Sequence, residues 1–136
     1  MLLWRHLAAQ RENILMITLD SFKFAGRGLR LVLSRERNAR IHVAFAALAV
    51  ILSVVFRISI DQFAVIVLSI TLVLFAEIVN TAIERTLDLT YQENSQLVRY
   101  IKDTTAAGVL VTAVGSVVVA VVIFGPHLWR LVGLRW

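Results

Sequence analysis

The sequence predicts an all-α membrane protein, with an N-terminal amphipathic surface helix followed by three transmembrane helices in one domain covering 1–136. Three observations predict it. Of 136 residues 59% are hydrophobic, against ~45–50% in ordinary soluble domains, and so short a chain has too little interior to hide the excess. The apolar residues come in long blocks separated by charged stretches. There is no cysteine and one proline, Pro126, which removes a disulfide scaffold and suits long unbroken helices. The net charge is +5. Because the basic residues flank apolar blocks, anionic lipid is the expected partner and nucleic acid is not.

The first element is a surface helix over about 15–36. Lys23, Arg27, Arg30 and Ser34 follow one another at helical spacing and make a polar stripe. Phe22, Ala25, Leu29 and Val32 make an apolar one. Such a helix lies in the interface plane with its cations at the headgroups. It is not a signal peptide, because Arg5, Arg11 and Glu12 interrupt any apolar core.

Three apolar blocks approach the ~20 residues that a bilayer span requires. Ile41 to Phe56 is the first, with Arg57 placed to snorkel, giving a helix over about 40–58. Phe63 to Ile83 is the second, interrupted by Glu77 and Asn80, giving about 62–86. Ala106 to Phe124 carries no charge and meets Gly125-Pro126, a stop signal, giving about 103–125. Residues 57–62 between the first two leave room for a tight turn. Eight lysines and arginines precede residue 41, one lies in the 57–62 turn, and three lie between 85 and 105. Positive charge therefore puts the N-terminus and the 85–105 connection in the cytoplasm. Arg130 and Arg135 run against this assignment without outweighing it.

The second span holds the strongest chemical signal. Glu77, Asn80, Glu84 and Asp88 sit at offsets of 0, 3, 7 and 11, which at ~100° per residue keeps them within roughly 80° of arc. Counted from Phe63, Glu77 lies roughly 21 Å into a hydrocarbon core ~30 Å thick. Glu84 lies roughly 10 Å further, at the cytoplasmic surface. A carboxylate at that depth costs ~2.5–3.5 kcal/mol to insert, so it faces an interior and marks function. A stripe running from inside the membrane to water suits a reaction that joins a lipid-dissolved substrate to a water-dissolved one. Helix–helix adhesion through Asn80 and Thr81 would leave Glu77 unexplained.

Lys102-Asp103, before the third span, offers a cation for phosphate and an aspartate to orient it, although such pairs also simply cap membrane helices. Glu36, amid Arg35, Arg37 and Arg40, reads on local sequence as a salt-bridged surface carboxylate. No GxxxxGK[ST] loop is present, and Gly26-Arg27-Gly28 is too short for a dinucleotide fingerprint. His6, His42 and His127 are scattered and read as interfacial, as do Trp4, Trp129 and Trp136. One three-helix chain has few helices with which to shield an acidic stripe from lipid. A neighbour's helices are therefore expected to cover Glu77, and Ala106, Ala107 and Gly108 are small enough to let them approach.

Several strings resemble the small bacterial integral-membrane diacylglycerol kinases and undecaprenol kinases. They are Ser21-Phe22-Lys23-Phe24-Ala25, Glu36-Arg37-Asn38, Glu77-Ile78-Val79-Asn80-Thr81-Ala82-Ile83-Glu84 and Lys102-Asp103. The likeness covers about residues 15 to 128, and Glu36-Arg37-Asn38 with Phe124-Gly125-Pro126-His127-Leu128-Trp129 looks more like the undecaprenol kinase branch. The resemblance implies a homotrimer in the bacterial plasma membrane, with active sites between protomers and magnesium-ATP phosphorylating a lipid alcohol. By motif, Glu77 would be the general base on the lipid hydroxyl. Glu36 and Glu84 would hold the metal that bridges the ATP phosphates. Asn80, Lys102 and Asp103 would contact the nucleotide, Glu93-Asn94-Ser95 would form a turn reaching it, and Phe24 would lie near the adenine. Arg30, Asn38 and Arg40 would line the lipid entrance. Ile17 stands where some relatives carry an arginine that touches phosphate, and Lys23 or Arg27 are candidate substitutes. The alternative is a small proton-coupled exporter using Glu77 as proton carrier; the water-edge carboxylate, the Lys-Asp pair and only three spans argue against it.

Overall fold

The computed structural model describes residues 20–91 and 95–131. All its regular structure is helical: α1 (20–35), α2 (Arg37–Val55), α3 (Ile60–Thr90) and α4 (Gln96–Leu131). The chain divides into two compact units, 1–35 and 36–136. In the first, α1 carries an Asp20–Lys23 pair at 3.0 Å and the Arg27 guanidinium 4.6 Å from the Phe24 ring centre. Phe22, Phe24, Leu29 and Leu31 are exposed on it beside the cations, the surface expected of a helix lying at an interface.

In the second unit α3 is the central helix, packed on α4 more extensively than on α2. All three helices are long and apolar enough to cross a membrane. At 31 residues α3 is about 46 Å long, well beyond a hydrocarbon core of ~30 Å. It therefore carries the stripe out of the apolar layer and ends at Thr90 rather than near 86. Helix α4 likewise starts before the apolar block, at Gln96. The valines at 111, 114, 117, 118, 121 and 122 are exposed, as lipid-facing positions should be.

Helix α2 ends because Arg57 turns left-handed, with φ of 50°. Helix α3 then starts on a capping box, in which the Ser59 hydroxyl accepts from the Gln62 amide and the Gln62 side chain accepts from the Ser59 amide. Beside this turn lies the apolar cluster of Ile66, Ile123 and Phe124, with Leu52 and Phe56 packed on it. Phe56 also meets the rings of Phe124 and His127, at 6.1 and 5.3 Å between centres.

Pro126 does not stop α4, which continues to Leu131. A proline removes one backbone donor from its turn. Packed membrane helices tolerate such a loss, and His127 Nδ1 separately donates to the Ile123 carbonyl at 3.0 Å. Hydroxyls within the apolar layer are satisfied internally, as lipid demands. Ser53, Ser69 and Thr71 donate to carbonyls one turn back, and Ser116 donates across helices to the Ser69 carbonyl at 3.3 Å.

Candidate active site

The stripe predicted on the second span is present on α3 and graded in burial. Glu77 is 3% exposed and Asn80 8%, Glu84 is half-buried, and Asp88 is exposed. The burial of Glu77 corrects one expectation. This chain buries the carboxylate itself, so lipid exposure of Glu77 gives no reason for a neighbouring chain. His42 on α2, with Glu36 and Glu84, acts on Glu77 electrostatically. His42 is half-buried and lines a cavity of about 310 Å³ with Ile41, Phe45, Leu52, Ile70 and Phe124. The cavity is an apolar space between α2, α3 and α4.

Asn80 Nδ2 donates to Glu84 Oε1 at 3.0 Å, one helical turn along the stripe. Asn80 Oδ1 is buried and has no hydrogen-bond donor among the described residues. A buried acceptor left so costs about 1–3 kcal/mol, a penalty that a donor from an incoming molecule or a second chain would relieve.

Two ion pairs close the polar end of the bundle. Arg85 donates to Glu36 Oε1 at 2.7 Å, joining α3 to the residue that precedes α2. Glu36 thus pairs with a cation 49 residues away in sequence. Lys102 on α4 donates to Asp88 on α3 at 2.5 Å. Asp103 follows Lys102 in sequence and is exposed.

The other expected site residues are distributed as follows. Asn38 and Arg40 are exposed in the first turn of α2, just after Glu36. Ser95 is exposed before α4. Phe24 and Arg30 lie on α1, in the first unit. Glu93, Asn94 and Ile17 fall outside the described residues. Sequence reasoning missed Arg85 and His42. Both earn attention only through tertiary contacts, which helical periodicity does not report.

Among the described residues no three acidic or histidine side chains cluster closely enough to hold a metal unaided. Magnesium in nucleotide sites ordinarily takes one or two carboxylates, with phosphates and water completing the shell. Glu36 and Glu84 are carboxylates of the kind that donor set uses; Glu36 accepts from Arg85 and Glu84 from Asn80.

A buried acid inside an apolar helix, in line with an amide and carboxylates that reach the water edge, is the arrangement of a membrane-embedded site. The family and relatives that the chain matches make it a kinase, a phosphotransferase acting on a lipid alcohol. The chain belongs to the prokaryotic diacylglycerol kinase family, whose pattern matches residues 23–124. It is 37% identical over 108 residues to the undecaprenol kinase of Bacillus subtilis (strain 168), covering 79% of this chain and 88% of that protein. It is 36% identical over 116 residues to the diacylglycerol kinase of Synechocystis sp. (strain ATCC 27184 / PCC 6803 / Kazusa), covering 83% of this chain and 65% of that one.

Proposed function

We propose that this chain transfers the γ-phosphate of ATP to the hydroxyl of undecaprenol or diacylglycerol, at a cytoplasmic site in the bacterial plasma membrane. The observation that carries the reading is the buried Glu77 at the inner end of a polar stripe on α3 that continues through Asn80 and Glu84 to the water edge. The 310 Å³ apolar cavity lined by His42 offers room for part of a lipid.

Glu77 accepts the proton of the lipid hydroxyl, and that oxygen attacks the γ-phosphorus as ADP leaves. Glu36 and Glu84 hold magnesium, which when bound neutralises phosphate charge. Asn80 keeps Glu84 oriented through their 3.0 Å bond. Lys102 exchanges Asp88 for phosphate oxygens as a compact point charge, and Asp103, Ser95 and, by sequence motif, Glu93 and Asn94 are further nucleotide contacts. Phe24 contacts the adenine, while Arg30, Asn38 and Arg40 border the lipid entrance.

The active form is a homotrimer with sites between protomers. Three observations support it: Ala106, Ala107 and Gly108 are exposed, a Cβ at Gly108 would meet nothing within 4 Å, and Asn80 Oδ1 lacks a donor. Small residues on an open face let a second helix approach closely.

The test is phosphate transfer from labelled MgATP by the full chain, with undecaprenol and diacylglycerol compared in one lipid mixture. Phosphorylated lipid that depends on added alcohol is the expected product. ATP turnover indifferent to either alcohol would remove the proposal.

A further inference from the structure

At the polar end of the bundle Arg85 pairs with Glu36 and Lys102 with Asp88, so each of these two cations is held by a carboxylate. A nucleotide polyphosphate brings several more negative charges. Lys102 supplies one positive charge, from a half-buried position already bonded to Asp88. Arg85 is a second cation on α3 that a polyphosphate could reach. It follows Glu84 directly on α3, lies one turn before Asp88, and acts on Glu36, Glu84 and Asp88 together. Its side chain is 55% exposed, against 27% for Glu36, so the guanidinium has a free approach from water. A guanidinium also binds phosphate in a bidentate fork that an ammonium lacks.

We propose that Arg85 is a polyphosphate-binding residue of this site, and that it exchanges the Glu36 carboxylate for phosphate oxygens when Glu36 takes the magnesium ion. The exchange costs little charge separation. Glu36 trades one cation for another, and Arg85 trades one anion for another. Before the exchange, the 2.7 Å bond holds Glu36 oriented toward α3. The inference rests on the kinase reading above.

The experiment is equilibrium binding of MgATP to the full chain in detergent, without lipid alcohol, for the unaltered protein, Arg85→Gln and Arg85→Lys. Thermal unfolding of each is measured alongside. Arg85→Gln should bind MgATP roughly ten- to a hundred-fold more weakly, the loss expected for one charge-assisted contact. Arg85→Lys, which keeps the charge and loses the fork, should fall between. Arg85→Gln binding MgATP as tightly as the unaltered protein, or more tightly, overturns the inference and leaves Arg85 as a tie between α2 and α3. If Arg85→Gln does not fold, Arg85→Lys decides: unaltered affinity overturns the inference, and a several-fold loss at unchanged unfolding temperature supports it. No MgATP binding by the unaltered protein overturns both this inference and the kinase reading.

Discussion

The two ends of the α2–α4 bundle are built on opposite principles. At the Phe56 end, Phe56, Ile66, Ile123 and Phe124 form an apolar plug, α3 starts on a capping box, and the His127 ring donates to the Ile123 carbonyl. At the Glu77 end a carboxylate is buried, an amide oxygen has no donor among the described residues, and two ion pairs are half open to water. The first end satisfies its groups, while the second keeps polar groups where they are costly. Such costs are tolerated where function requires them. The contrast assigns stability to one end and chemistry to the other.

The largest expected effect breaks the contrast at its chemical end. Glu77→Gln should leave the helices assembled and lower turnover by ~10²–10⁴-fold, the range for a lost general base. Lipid-dependent ATP turnover measures it, and near-normal kcat would remove Glu77 from the base role.

The converse change is Phe124→Ala, at the plug. It should destabilise by roughly 1–3 kcal/mol, because lipid cancels much of the transfer part of a core deletion and leaves the packing part. Unfolding in mixed detergent measures it, and transfer per folded molecule should stay close to the unaltered value.

A smaller effect sharpens the assignment of the acids. Glu36→Gln and Glu84→Gln should each raise the magnesium concentration for half-maximal rate by about ten-fold, since each removes an anionic oxygen ligand. A magnesium titration reads it directly. Unchanged midpoints in both variants would contradict a shared metal site.

The smallest effect belongs to the capped turn. Ser59→Ala removes the hydroxyl that accepts from Gln62, and about 1 kcal/mol of stability should go with it. The unfolding transition should shift with kcat unaffected.

The same contrast separates what the sequence made legible from what it did not. The three spans and the acidic stripe follow from block length and 3.6-residue periodicity, and α2, α3 and α4 contain them. The stop expected at Pro126 fails because a packed membrane helix tolerates one lost backbone donor, which local sequence does not report. The partners of Glu36 and Lys102 could not be read at all. Arg85 is 49 residues from Glu36, and Asp88 is 14 from Lys102, so only the packing of α3 brings them together. The burial of Glu77 and the placing of His42 beside it are likewise products of packing.

The most direct test of the division between the two ends is a single-turnover measurement of phosphate transfer to lipid alcohol, with Glu77→Gln and Phe124→Ala compared in one lipid mixture and normalised to folded protein. The predicted result is a transfer step slowed at least a hundred-fold or so in Glu77→Gln with MgATP still bound, and a near-normal step in a less stable Phe124→Ala. Normal transfer in Glu77→Gln, or an equal loss in both variants, would contradict it.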